Sequence, residues 1–420
     1  MKKIKVCELV DTYYPTVDGV INVVKHYSKL LHSRVECKLA APRPAKKDNY
    51  VDKEEFEVIR CNSTKAPEGY RTAAPQSDSK FVRKMDSEDF DILHVHSPFT
   101  MGRYAIKAGK KNAVPVVATL HTQYHQDFAR VAKGNKLFIK IALAYIMHVY
   151  NRADSVWTVS NRSGDFLRMY GYKGKITVIR NGTDYVYPEN DKELIDRVNQ
   201  IHGLEKQQNV YLFVGRMAWY KNIRLIIDAL KIAKDNGKDF KMIFVGSGFD
   251  FDAVKEYVTK LGLDDKCIFT GQISDRQLLQ GYYLRSDLML FPSTFDMASI
   301  VKEEAAAHKL PCLVVKDSCS AERVVDNENG FLCLETAESV AERAMELMDK
   351  PELVKEVGEN AFKTLYRNWD DVLHDVLSEY QKIIEEYKAK MTEKQREKYL
   401  KKRARVEKRA KLLQQKLLAK

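Results

Sequence analysis

Phe291-Pro292-Ser293-Thr294-Phe295-Asp296-Met297-Ala298-Ser299-Ile300-Val301-Lys302-Glu303-Glu304-Ala305-Ala306-Ala307-His308-Lys309-Leu310-Pro311 holds a strand end, a loop and a helix in one stretch. The apolar run 287–291 reads as a buried strand, and it feeds a short loop and then a helix over 299–308. Asp296 stands in the loop, and Glu304 follows eight residues later, about two helical turns on. A loop acid and a helical acid at an open helix start can address two parts of one elongated ligand. The backbone N–H groups between them can hold an anion.

The same alternation runs through the chain. In the first half, residues 4–10, 35–41, 92–95, 116–120, 155–159 and 177–179 read as strands, and 20–33, 101–111, 137–151 and 162–170 as helices. In the second half the strands are 210–214, 242–245, 267–270, 288–291 and 313–315, and the helices 222–236, 250–261, 275–284 and 299–308. Continuous apolar strands between amphipathic helices predict parallel sheets covered on both faces, hence an α/β chain of two Rossmann-like domains. A polar segment around Tyr187-Pro188-Glu189-Asn190 divides them. The expected organisation is 1–190, 191–368, a returning helix over 369–387 and a basic tail over 388–420.

At 420 residues and 45% apolar content, the chain can build two full cores. The net charge is +12, but residues 386–420 hold 14 Lys/Arg against 4 Glu, so the body is nearly neutral and the basicity belongs to the tail. Cys7, Cys37, Cys61, Cys267, Cys312, Cys319 and Cys333 show no CxxC spacing, which predicts buried reduced thiols and neither a zinc site nor a disulfide frame. The first ten residues lack a cleavage signal, and the apolar run 137–150 is too short to span a bilayer. The expected location is cytoplasmic, with peripheral contact at the inner face of the cell membrane.

Several loops follow strands. Gly215-Arg216-Met217-Ala218-Trp219-Tyr220-Lys221-Asn222 places two cations where they can grip a diphosphate, with Gly215 allowing close backbone approach. Gly246-Ser247-Gly248 and Gly271-Gln272-Ile273 read as openings for a ligand. Asp18-Gly19 leads into the first long helix. His94 and His96 alternate on one strand and read as packing or hydrogen-bonding groups, since no carboxylate or cysteine partner is evident. His121, in Thr119-Leu120-His121-Thr122-Gln123-Tyr124, sits at the lip of a strand.

In this order and spacing, Gly215-Arg216 with Lys221-Asn222, Asp296…Glu304 ending in Leu310-Pro311, Asn329-Gly330-Phe331 and Asn181-Gly182-Thr183-Asp184 resemble the family 4 retaining glycosyltransferases. The resemblance covers about residues 1–385 and implies the GT-B fold of two facing Rossmann-like domains. It implies that the first acid, here Asp296 where the usual residue is one methylene longer, engages the donor sugar, and that Glu304 engages the nucleotide ribose. Arg216 and Lys221 would stabilise the departing diphosphate. Met297, Ala298, Ser299, Ile300 and Val301 would line the sugar and phosphate, with Gly19, Gly215, Gly248 and Ile273 also on the donor side. His121 would contact the sugar near the reacting carbon, and Asp18 and Tyr124 the acceptor. The expected chemistry is metal-independent, with same-face attack and leaving phosphate oxygen as the proton acceptor. No cofactor is expected beyond the co-substrate, a nucleotide sugar expected to be a UDP-hexose.

The loops near residues 11–20 and 121–124 look most like those of lipid glycosylators, which implies a membrane-lipid acceptor such as diacylglycerol. The alternatives are a saccharide or polyprenyl-linked acceptor, and a noncatalytic GT-B scaffold. The apolar faces of residues 136–150 favour a helix buried on the sheet, with bilayer contact as the other reading. In the tail, Val406, Ala410, Leu413 and Leu417 form a stripe flanked by Lys402, Arg403, Lys408, Arg409, Lys411 and Lys416, suited to an anionic membrane surface, with a solvated tail that aids solubility as the other reading. Tyr399 alone could stack on a base there, so nucleic acid is not an expected partner.

Overall fold

The computed structural model describes residues 3–16, 19–66 and 71–418. By contact the chain forms two compact units, Met1–Arg180 with Asp370–Lys420, and Asn181–Trp369. Residues 181–190 lie with the second unit, where the Thr183 amide donates to the Arg367 carbonyl at 2.9 Å and the Tyr366 hydroxyl to the Tyr185 carbonyl at 3.1 Å.

The first unit contains β1 (Lys5–Leu9), β2 (Glu36–Pro42), β3 (Glu57–Cys61), β4 (Ser63–Lys65), β5 (Arg71–Ala73), β6 (Ile92–Val95), β7 (Val116–Leu120), β8 (Ser155–Thr158) and β9 (Thr177–Val178). Seven of these form a parallel sheet in the order β3-β2-β1-β6-β7-β8-β9, and β4 and β5 make a separate antiparallel ribbon. Every residue of β6 and β7 is buried, which is why these strands read as unbroken apolar runs. The strand order reverses between β1 and β6, and the crevice at the carboxyl ends of such a pair is where open α/β sheets bind ligands.

The second unit contains β10 (Val210–Val214), β11 (Lys241–Val245), β12 (Cys267–Gly271), β13 (Leu288–Phe291), β14 (Cys312–Val315) and β15 (Phe331–Cys333) in the order β12-β11-β10-β13-β14-β15. All pairs are parallel, and the reversal falls between β10 and β13. Phe213, Phe244 and Phe291 meet in its core, with the Phe213 ring 6.1 Å from each of the other two.

The helix Trp369–Ala389 returns to the first unit. Val372, Val376, Tyr380 and Ile383 form its buried stripe at helical spacing. Tyr380 is fully enclosed and stacks on Trp157 at 5.4 Å. The tail helix Glu393–Leu418 then docks on the acidic segment before β6. The Tyr399 hydroxyl donates to Asp91 at 3.1 Å, and Arg403 pairs with Asp91 and lies 3.9 Å from Asp89. Lys402 is drawn in as well, and burial lowers its pKa to about 8 against the pull of Asp86 and Asp89. Arg403, read in the sequence as a headgroup ligand, is thus engaged by the acids before β6, and Lys402 is partly buried near them. Lys398, Lys401, Arg405, Lys408 and Lys411 are exposed, whereas Ala410, Leu413 and Leu417 lie outside the described side chains.

A second correction concerns the helix Lys136–Tyr150. Ile139, Ile146, Met147, Val149 and Tyr150 are buried, but Leu137 is 68% exposed, Phe138 47% and Ile141 62%. The helix is apolar on more faces than the unit covers. Among the described residues, no helix is long and apolar enough to cross a membrane.

Candidate active site

In the second unit the loops after β10 and β13 flank the strand-order reversal, and Asn222 ties them together. Asn222 takes a left-handed conformation (φ 59°), which asparagine tolerates well, and so stops the short turn Trp219–Lys221. Its side-chain amide donates to the Pro292 carbonyl at 3.0 Å and to Glu335 at 2.7 Å. Glu335 also accepts from the Thr294 hydroxyl at 3.3 Å. With the loops fixed in this way, Lys221 pairs directly with Asp296 Oδ1, and both side chains are largely enclosed. Asp296 Oδ2 is buried and has no hydrogen-bond partner among the described residues. A buried unsatisfied acceptor is costly, on the order of 1–3 kcal/mol, and a ligand hydroxyl would relieve it.

The loop 292–299 leads into the helix Ile300–Ala307, whose first turn has no side-chain cap. Met297 is buried, while Ala298, Ser299, Ile300 and Val301 are partly exposed beside the uncapped amides. Glu304, on the same helix, accepts a 2.6 Å hydrogen bond from the Tyr283 hydroxyl. Burial raises its pKa to about 7, with the Tyr283 bond opposing. Arg216 is partly exposed at the start of the β10 loop, and the Gly215 amide donates to the Val245 carbonyl at 3.0 Å.

Gly246 and Gly248 have a different use from the one read in the sequence. A Cβ on Gly246 would stand 2.0 Å from the Gly215 carbonyl oxygen, and one on Gly248 would stand 2.3 Å from that of Met217. These glycines let two loop backbones touch, so the missing side chains make room for protein instead of ligand. Ile273 is partly buried against the second unit's core.

In the first unit, Gly19 opens the helix Gly19–Arg34 with free space where a side chain would lie, and Asp18 is outside the described residues. Asp11 accepts from the Phe99 and Met101 amides and the Thr100 hydroxyl at 2.6–3.1 Å, fixing the helix Thr100–Asn112 at the carboxyl edge. Tyr124, read as an acceptor contact, is only 6% exposed and packs between Phe99 and Phe128, which gives it a core role. His121 follows β7 and is partly exposed.

Glu8 is the carboxylate partner that the sequence reading of His94 and His96 lacked. It is fully buried on β1 and bonded to His96 Nε2, and it accepts from the Tyr380 hydroxyl at 2.9 Å. His94 bridges Tyr380 at 2.5 Å and Thr119 at 2.6 Å, and His96 Nδ1 lies 2.9 Å from His121 Nε2. Glu8, Asn222, Tyr283 and Glu335 were not singled out as site residues. Only Asn222, inside the quoted Lys221-Asn222 pair, carried a signal that could have found it.

The comparisons agree with this architecture. The family described as Glycosyltransferase Family 4 matches residues 17–186, and Glycosyl transferases group 1 matches residues 195–364. The alpha-monoglucosyldiacylglycerol synthase of Streptococcus pneumoniae is 24% identical over 307 residues, spanning 72% of this chain and 69% of its own length. Its namesake in Acholeplasma laidlawii is 23% identical over 367 residues, spanning 84% of this chain and 90% of its own. Among solved structures, Anabaena Alr3699/HepE in complex with UDP superposes with a TM-score of 0.74 at 19% identity, covering 90% of this chain and 100% of that one. The chain belongs to the glycosyltransferases of GT-B fold, with a Family 4 domain followed by a group 1 domain.

Proposed function

We propose that this enzyme transfers a hexose from a nucleotide diphosphate sugar, a UDP-hexose, to a hydroxyl of a membrane lipid such as diacylglycerol, with retention and without a metal. One observation carries the lipid reading. Leu137, Phe138, Ile141 and Tyr145 stand exposed on one helix among the exposed Lys133, Lys136 and Lys140. A cavity of about 410 Å³, lined by Ile139, Leu143, Met147 and Met169 with Lys136 and Lys140, opens beside them. Exposed apolar side chains rimmed by cations suit an anionic bilayer, with buried apolar area and headgroup attraction adding together. The names of the two diacylglycerol synthases are in keeping with such an acceptor, and the UDP bound to HepE with such a donor.

On this reading Asp296 holds the sugar, Glu304 the ribose, and Arg216, Lys221 and the uncapped amides absorb leaving-group charge. Ile141→Asp is expected to abolish sedimentation with anionic vesicles and to lower transfer to diacylglycerol in those vesicles by about tenfold or more, while donor hydrolysis persists. Unchanged vesicle binding, or mass-spectrometric product only on saccharide acceptors, would remove the lipid reading.

Glu304 gives a pH signature. Its folded pKa of about 7 lies above the unfolded value of about 4.3, so its ionisation costs the ligand-free fold stability as pH rises between the two. The ionised form is the one that accepts two ribose hydroxyls. The kcat/KM for the nucleotide sugar should therefore rise about tenfold from pH ~6 to ~8, and Glu304→Gln should flatten that limb.

A further inference from the structure

The chain of bonds from Glu8 to His121 has a direction. Glu8 lies at zero exposure with one oxygen toward the Tyr380 hydroxyl, which donates at 2.9 Å, and the other toward His96 Nε2. Both contacts need a carboxylate that only accepts. Burial alone would push Glu8 up, but the neighbouring His94 and His96 outweigh it and hold its carboxyl well below the usual range. His94 is satisfied on both nitrogens by Tyr380 and Thr119, so it takes no part in the path outward.

In a neutral His96, 1% exposed, the proton lies on Nε2 toward Glu8 and a lone pair stays on Nδ1. That lone pair faces His121 Nε2 at 2.9 Å, and the two rings stack at 5.1 Å. His121 must supply the hydrogen. Its remaining nitrogen, Nδ1, then has only a lone pair, on a partly exposed residue one position beyond the carboxyl end of β7. Burial among the other histidines also keeps the ring neutral.

We propose that Glu8 and His96 are positioning residues that hold the His121 proton on Nε2, so that Nδ1 accepts a hydrogen bond from a hydroxyl of a bound sugar or acceptor. This rests on His121 facing ligand in the proposed transfer. As in a catalytic triad, a buried acid fixes a histidine tautomer, but here it acts through a second histidine in place of direct contact. An imidazolium at His96 would reverse the last bond and turn His121 Nδ1 into a donor, so the two arrangements predict opposite tautomers.

Long-range ¹H–¹⁵N correlation on histidine-labelled full-length protein, with His121 assigned by its loss in His121→Gln, reads the tautomer without any substrate. The expected wild-type pattern is a protonated Nε2 and an unprotonated Nδ1. In Glu8→Gln the His121 signals should become mixed or inverted, with kcat down about 10- to 100-fold and KM within about threefold. A protonated Nδ1 in wild type overturns the proposal even if Glu8→Gln does not fold. So does an unchanged His121 tautomer in folded Glu8→Gln. The expected tautomers together with full turnover in His121→Ala would instead remove the ligand-facing reading and leave the relay standing as a structural network.

Discussion

Arg216→Ala is expected to lower kcat by about 10²–10³-fold, close to 3–4 kcal/mol of transition-state stabilisation, while the protein stays folded. The guanidinium is partly exposed on the loop that leaves β10 and is absent from the core cluster, so its removal opens no cavity. Glycosyl transfer leaves new negative charge on a diphosphate, and a cation already aimed at it needs no reorganisation as the bond breaks. Arg216→Lys should recover only part of the loss, because an ammonium cannot fork two oxygens. Initial rates with a UDP-hexose and diacylglycerol vesicles measure this directly. Turnover unchanged in Arg216→Ala would take the residue out of the chemistry, whereas wild-type protein with neither turnover nor nucleotide-diphosphate binding by calorimetry would favour a noncatalytic scaffold.

Continuous apolar strands announced themselves in the sequence because both faces of β6, β7, β10 and β13 are buried. Of the four edge strands of the two parallel sheets, β9 and β12 were legible but β3 and β15 were not. In β3, at the open side of the first sheet, only Ile59 and Cys61 are buried while the charged Glu57 and Arg60 interrupt the apolar run, and β15 has only three residues, too few to show a period. The helix Lys136–Tyr150 was legible as a helix but not in its surroundings. A segment apolar on most sides looks the same whether protein or solvent lies beyond it, and only the fold shows Ile141 uncovered.

Site residues divide in a similar way. Arg216, Lys221, Asp296 and Glu304 follow strand ends within short loops or one helix, so local spacing exposes them. Glu8 reaches His96 across 88 residues, and Tyr380 reaches Glu8 across 372, so their network exists only once β1, β6 and the returning helix are packed. Nothing local marks Glu8, which in sequence is simply a charge within an apolar run.

Asp296→Ala should cost about 10²-fold in kcat/KM for the nucleotide sugar, since hydrogen bonds to a charged partner are worth about 1.5–3 kcal/mol. The ligand-free protein shows why the acid and Lys221 have to be tested together. Lys221 is committed to Oδ1 while Oδ2 is buried and unpartnered among the described residues, so one carboxylate both holds the cation and keeps an acceptor oxygen open. Asp296→Asn separates these duties. It leaves an amide of the same shape that can still accept from the sugar but no longer neutralises Lys221. If orientation of Lys221 dominates, Asn should lose nearly as much as Ala, and mainly in kcat; if grip on the sugar dominates, Asn should keep most of the rate and raise KM. Asp296→Glu lengthens the acid by about 1.5 Å and should stay within about tenfold of wild type, because Lys221 ends a flexible stem that can follow it. Wild-type kinetics in all three variants would mean that the ion pair is only a loop fastener. Tight binding of donor without turnover in Asp296→Asn would instead place the aimed cation, and not the acid itself, at the centre of bond breaking.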